Sequence, residues 1–175
     1  MSTALLTGCA LCATLGKTCC QRSEVLVTCG DVARIERHTE RRDFWEYRVP
    51  SDPSYLDQPD DPNWLKWAFR PDGTRAILRR GPNGDCTFLT PAGCTLPLDV
   101  RPLVCRLYPY SYTEAGIVGV TDDRCPPAVI PPGRTILQVL DMRFAAAVDW
   151  HKRLYTELRT KEPTDEDRSD LRLAG

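Results

Sequence analysis

Four cysteines fall within the twelve residues from Cys9 to Cys20, spaced Cys9-x2-Cys12-x6-Cys19-Cys20. This run constrains the fold more than any other feature of the chain. Neighbouring cysteines such as Cys19 and Cys20 are hard to join to each other as a disulfide, because the bond demands a particular separation and dihedral angle. The remaining cysteines are Cys29, Cys86, Cys94, Cys105 and Cys125, which brings the total to nine among 175 residues. A secreted disulfide framework needs an export signal, and Met1–Cys9 contains no Lys or Arg and too few apolar residues for a hydrophobic region of about 7–15. Leu6-Thr7-Gly8-Cys9 imitates a lipoprotein cleavage box, yet no basic start precedes it. The expected compartment is the cytoplasm, where grouped cysteines are more often metal ligands than disulfides.

The charges nearly cancel, with 23 Lys+Arg against 24 Asp+Glu, so the electrostatic footprint of a nucleic-acid binder is missing. No apolar run approaches the roughly 18 residues needed to cross a bilayer, and no membrane partner is expected. The length suits one domain on a prior of about 100–200 residues. The expected division is a cysteine-cluster domain over 1–160 and a polar tail over 161–175.

Along the chain, Glu24–Val27 reads as a short extended segment, and Thr28-Cys-Gly-Asp31 has capping-box spacing, with Asp in place of the usual Glu or Gln. A helix is therefore expected over about 30–41. Between Arg48 and Asn63, four prolines and the acidic stretch 57–61 predict a surface loop, pinned by Trp45, Tyr47 and Tyr55. Trp64–Arg70 alternates apolar and polar residues and reads as a strand. Turns at Asp72-Gly73 and Asn83-Gly84 bracket a second strand at Arg75–Arg80. Tyr108–Tyr112 and Ile117–Thr121 form a further expected hairpin. Beyond Pro131 and Pro132, Thr135 is a candidate cap for one amphipathic helix over about 135–160, on the spacing of Leu137, Leu140, Phe144, Val148, His151, Leu154/Tyr155 and Leu158. The expected fold is a small α+β domain, two helices flanking an antiparallel sheet, with metal held between the N-terminal cysteine knuckle and the sheet loops.

The chemistry lies in the cysteine spacing. Cys-x2-Cys lets two sulfurs of one turn converge on a single ion, and the six residues that follow, Gly16 among them, can return the chain to the same point. The second set is spread more widely: Cys86 to Cys94, then Arg101-Pro102-Leu-Val-Cys105-Arg106-Leu-Tyr108-Pro109, then Asp123-Arg124-Cys125-Pro126. Such gaps imply donors delivered by different structural elements.

Taken in order, the Cys-x2-Cys-x6-Cys-Cys run, Asp31-Val-Ala-Arg-Ile35, Cys-x-Phe-Leu ending in Gly-Cys, Arg-Pro-x2-Cys-Arg-x-Tyr-Pro and a late Cys resemble the bacterial CxxCxxCC proteins. These are also called the YkgJ family of zinc- or iron-chelating proteins, and their cysteine cluster is similar to that of the flagellin lysine N-methylase. The resemblance spans about residues 9–125. It implies that Cys9, Cys12, Cys19, Cys20, Cys86, Cys94, Cys105 and Cys125 are the cluster positions, with Cys29 outside the pattern, and that the ion is zinc or iron, the latter as an iron–sulfur cluster in one version.

Independently, eight thiolates equal two four-coordinate sites, and two Zn(Cys)4 sites would move the formal charge from −1 to about −5. Arg22, Arg101, Arg106 and Arg124 each lie within four residues of such a cysteine and can supply compensating donors. One [4Fe–4S] cluster would use four thiolates and leave four over; two clusters, a mixed site or bridging sulfurs would use more. Ions joining the first twenty residues to Cys86–Cys125 close loops of over sixty residues. The entropy cost of such closure grows only as about (3/2)RT ln n, while structural zinc supplies about 10–16 kcal/mol in zinc-finger peptides.

For the remaining residues the structural role leads: Cys29 as a small buried thiol, His38 and His151 as surface or core histidines, and Asp31 as a helix-start residue. Arg101 and Arg106 either support the sulfur sites or bind an anionic substrate. Tyr108 packs beside Cys105 or reaches a sulfur or substrate, and Tyr110, Trp64 and Trp67 pack. No dinucleotide fingerprint, phosphate loop, His-Glu-x-x-His or Gly-x-Ser-x-Gly is present. Three functions follow: a metal-binding protein, a metalloenzyme that modifies a protein side chain in the manner of the lysine N-methylase, and a thiol-based redox or metal sensor for which Cys29 is the suspect residue.

Overall fold

The computed structural model describes residues 8–15, 18–121, 125 and 127–160, without the side chains of residues 8, 9 and 13. Leu6 and Thr7 of the lipoprotein-like box, Arg124 and the expected tail at 161–175 fall outside it. In chain order the elements are α1 (Gly8–Leu15), α2 (Cys19–Arg22), α3 (Cys29–Thr39), β1 (Trp45–Arg48), α4 (Trp64–Ala68), β2 (Arg75–Leu78), β3 (Leu89–Thr90), β4 (Gly93–Cys94), α5 (Leu103–Leu107), β5 (Tyr110–Thr113), β6 (Gly116–Val120), α6 (Ile136–Val139) and α7 (Phe144–Arg159). The architecture is α+β, as expected. Among the described residues no helix is long and apolar enough to cross a membrane.

Instead of one small sheet there are three antiparallel ribbons among the described residues: β1 with β2, β3 with β4, and β5 with β6. β2 lies at the centre of the largest, because the extended stretch Val25–Val27 lies along its other edge. Leu78 N–H donates to the Val25 carbonyl at 2.9 Å, and Val27 N–H to that of Ala76 at 3.0 Å. With both edges occupied, all four β2 residues are buried, Arg75 included. A buried guanidinium needs partners; here Arg75 lies over the Tyr55 ring at 3.9 Å and pairs with Glu24 at 3.1 Å. Tyr55 also accepts the Glu24 N–H at 2.9 Å, so the proline-rich loop is pinned by one of the aromatics expected to hold it.

Two apolar centres result. Val27, Ile35, Phe44, Leu78, Phe88 and Leu96 pack between α3 and the β1–β2 ribbon. Leu103, Leu107, Tyr110, Ala147, Leu154 and Tyr155 join α5, the β5–β6 hairpin and α7. The capping box at α3 forms as read from the sequence, with Thr28 and Asp31 exchanging side chain-to-backbone hydrogen bonds at 3.0 Å. Glu157 of α7 reaches over the start of α3 to Arg34 at 2.6 Å and to Thr28. Glycine at residue 30 leaves room for this carboxylate, since a Cβ there would stand 2.3 Å from the Glu157 carboxyl carbon and force that side chain to shift.

Two expectations are corrected. Trp64–Arg70 is not a strand: Trp64–Ala68 forms α4, and β2 pairs with β1 instead. Trp64 and Ala68 are one helical turn apart; Trp64 meets the Tyr112 and Tyr155 rings while Ala68 is buried, so this short run satisfied both periodicities. The long helix expected over 135–160 is broken. Thr135 caps α6 as expected, but Asp141 adopts a left-handed φ of 50° and the Met142 N–H turns back to the Leu137 carbonyl at 2.8 Å before α7 begins. Phe144, expected on the buried stripe, is 60% exposed.

Candidate functional site

The elements that deliver the cysteines are short and locally capped. Cys12 lies on α1, which packs against the β3–β4 hairpin so closely that a Cβ at Gly93 (φ +100°) would stand 3.2 Å from Ala10 Cα. Cys19 and Cys20 occupy the first turn of α2, where the Thr18 N–H donates to the Gln21 side chain at 3.0 Å. Thr18-Cys-Cys-Gln21 is thus a capping box, whose Thr-x-x-Gln spacing is the sequence signal for this short helix. The backbone N–H of Cys86 donates to the carbonyl of Cys20 at 2.8 Å, which ties the second arm of the N-terminal run to the turn after β2. Cys94 ends β4, and Cys105 sits at the middle of α5, a helix the sequence reading did not anticipate.

Seven of the eight expected positions, Cys12, Cys19, Cys20, Cys86, Cys94, Cys105 and Cys125, line one cavity of about 430 Å³. The eighth, Cys9, has its backbone in α1 and its side chain outside the described residues. The eight cysteines with described side chains form no disulfide. Cys29, at the first position of α3, does not line the cavity.

The sulfurs act on one another. The Cys20 thiol is pushed up by its hydrogen bond with Cys19, then by burial, then by the charges of Cys19, Cys105 and Cys86. Burial pushes Cys105 well up, reinforced by Cys19, Cys86, Cys94 and Asp31. Burial also raises Cys86, with Cys94 and Cys19 adding to it and Arg80 opposing. At Cys20, Cys86 and Cys105 the neutral thiol is therefore favoured, the state expected when like charges are crowded into a low-dielectric space. Among the described residues, no three His, Cys, Asp or Glu side chains form a group that could hold a metal ion as they stand. The donors surround the cavity without converging on one point.

Other residues divide clearly. Tyr108 lines the cavity, and the Cys125 thiol donates to its hydroxyl across 3.6 Å. Arg101 also lines it, while its Nε donates to the Leu96 carbonyl at 2.9 Å. Arg106 is buried away from the cavity and spends its guanidinium on the carbonyls of Arg101, at 2.7 Å, and Asp99, so it shapes the loop before α5. His151 Nε2–H donates to the Thr113 carbonyl at 2.7 Å between the Tyr112 and Tyr155 rings, the satisfied core histidine expected; His38 is exposed. Burial and the charges of Cys105, Asp31 and Asp61 push the Tyr112 phenol up.

Seven thiols in one lining are a soft donor set, suited by chemistry to zinc or iron and unsuited to magnesium or calcium. No family model matches the chain, and neither a curated protein nor a solved structure matches it.

Proposed function

We propose that this chain is a metal-binding protein that coordinates zinc or iron through Cys9, Cys12, Cys19, Cys20, Cys86, Cys94, Cys105 and Cys125, as its resemblance to the CxxCxxCC proteins implies. The observation that carries the proposal is the shared cavity: seven of these cysteines, drawn from stretches as far apart as Cys12 and Cys125, line it together. Chance burial of thiols gives no reason for so many of them to line one cavity. Binding has to draw the sulfurs inward and release their protons, which links metal affinity to pH and to closure of the fold. A bound ion would supply positive charge that lets several sulfurs ionise in one space. The cytoplasm is the compartment proposed, because grouped cysteines there are more often metal ligands than disulfides.

Metal analysis and an absorption spectrum of anaerobically purified protein test this. Stoichiometric zinc in colourless protein, or iron with broad absorption near 400 nm that bleaches on reduction, supports the proposal. Intact reduced protein that retains neither metal and takes up neither on titration overturns it.

A second reading, a metalloenzyme acting on a protein side chain, is favoured by the room in the cavity. A volume of about 430 Å³ falls within the roughly 300–1,000 Å³ of small-ligand pockets. Tyr108 and Arg101 would then face the reacting group beside the sulfurs. An exogenous ligand that perturbs the metal spectrum without removing the ion supports this version; full thiolate saturation counts against it.

A further inference from the structure

Asp31 has no exposed surface, yet its carboxylate serves two helices. One oxygen accepts the Thr28 N–H at 3.0 Å and closes the capping box of α3. The other accepts the N–H of Leu103, seventy-two residues further on, at 3.1 Å, and pairs with Arg34. Leu103 is the first residue of α5, and the first N–H groups of a helix have no partner within it. The residue before it is Pro102, which has no side-chain oxygen to offer, and no side-chain cap is made there. A five-residue helix is far below the length at which helices stand alone, about 12–15 residues, so its ends depend on outside partners. Cys105 is the third residue of that helix.

We propose that Asp31 is a positioning residue for Cys105: by capping α3 and the start of α5 with one carboxylate, it fixes where the Cys105 sulfur enters the cavity. The residue type fits the task. A capping box normally carries Glu or Gln at this position. The shorter Asp leaves its second oxygen at the depth of the Leu103 amide, whereas an added methylene would overfill a fully buried space. Arg34 neutralises the carboxylate and is itself held by Glu157 at 2.6 Å, so α7 braces the same point. The link to metal rests on the function proposed above; the placement of Cys105 does not.

The test uses the full chain carrying Asp31→Glu, which retains the charge and the α3 capping box, beside Asp31→Ala and the control Cys29→Ser. In metal-free, reduced protein, the alkylation rate of each cysteine is read by mass spectrometry. Asp31→Glu is expected to change the rate at Cys105 at least fivefold relative to Cys20 and Cys86, with the far-ultraviolet circular dichroism unchanged. An unchanged ratio in a folded variant overturns the proposal. With cobalt(II) as probe, the thiolate charge-transfer band per bound ion is expected to fall in Asp31→Glu and Asp31→Ala and to persist in Cys29→Ser; wild-type bands in both Asp31 variants also overturn it. Should Asp31→Ala fail to fold, Asp31→Glu carries both measurements. If wild-type protein binds no cobalt, zinc or iron, the metal reading fails, and the alkylation ratio still decides the role of Asp31.

Discussion

The backbone amide of Cys86 donates to the carbonyl oxygen of Cys20 across 2.8 Å, joining two cysteine-bearing stretches more than sixty residues apart in the chain. Because main-chain atoms make the bond, it survives substitution of either side chain, and the effect of a sulfur can be read separately from the effect of the fold.

Cys86→Ser is therefore expected to fold while losing one soft donor. Metal affinity, measured by competition with a chelator, should fall at least about tenfold, since even residues that merely orient ligands are worth about 10–100-fold. Cys29→Ser, which alters a thiol away from the cavity, should bind as the wild type does. Equal binding by the two variants would remove Cys86 from the ligand set.

Glu24 and Arg75 form a buried pair at 3.1 Å. Burial pushes the Glu24 carboxyl up, but hydrogen bonds from Ser51 and the charge of Arg75 outweigh it and hold the carboxyl below the ordinary glutamate value. A carboxyl lowered by folding stabilises the native state fully above its unfolded value of about 4.3, and that contribution is lost as pH falls through the lower folded value. The denaturant midpoint of the wild type should thus drop steeply below about pH 4. Glu24→Gln should be less stable near pH 7 by about 3 kcal/mol, because Arg75 is left buried without its counter-charge, and should lose less on acidification. Parallel acid profiles would refute this assignment.

Tyr155 donates its hydroxyl to Asp61, and both side chains are buried. Burial, then this hydrogen bond and the charge of Asp61, push the phenol up, so it stays a donor across the whole neutral range. Tyr155→Phe preserves the ring contacts with Trp64 and His151 and deletes only the donor. A loss of about 1–3 kcal/mol in chemical denaturation is expected, the cost of leaving a buried acceptor unsatisfied. A change below about 0.5 kcal/mol would show that Asp61 finds another partner.

Gly30 lies beneath the Glu157 carboxylate, which Thr28, Arg34 and Arg153 hold in place. Gly30→Ala would ordinarily favour a helix by about 0.5–1 kcal/mol. Here the methyl group meets a clamped side chain, and the variant should instead be destabilised by about 1–3 kcal/mol. Pairing it with Glu157→Ala should restore stability relative to Gly30→Ala alone, which a thermal melt would show; no restoration would place the clash elsewhere.

What could be read from the sequence was local. The Thr28–Asp31 box, the Thr135 cap, the turns at Gly73 and Gly84 and the hairpin after Pro109 are set by residues a few positions apart, and each formed near its expected place. The cysteine spacing pointed to positions of which seven line one cavity. Elements decided by distant contacts were lost. α4 exists because Trp64 finds Tyr112 and Tyr155, and α5 because Asp31 lies at its start; neither partner is near in sequence. The break at Asp141 was hidden because Leu137, Leu140 and Phe144 keep a helical rhythm across it. Arg106 looked like a donor to sulfur from its position beside Cys105, but adjacency along a helix does not fix where a long side chain ends.

The Cys20–Cys86 tie also bears on how the protein comes into being. A ribosome releases the chain from its N-terminus, so the Cys12–Cys20 thiols emerge well before the turn that receives them has been synthesised. Contacts between such remote stretches form slowly, because a large loop must be closed before they bring any gain. Until then the early thiols stand open to oxidants and stray ions, and the nascent chain depends on its surroundings to keep them reduced.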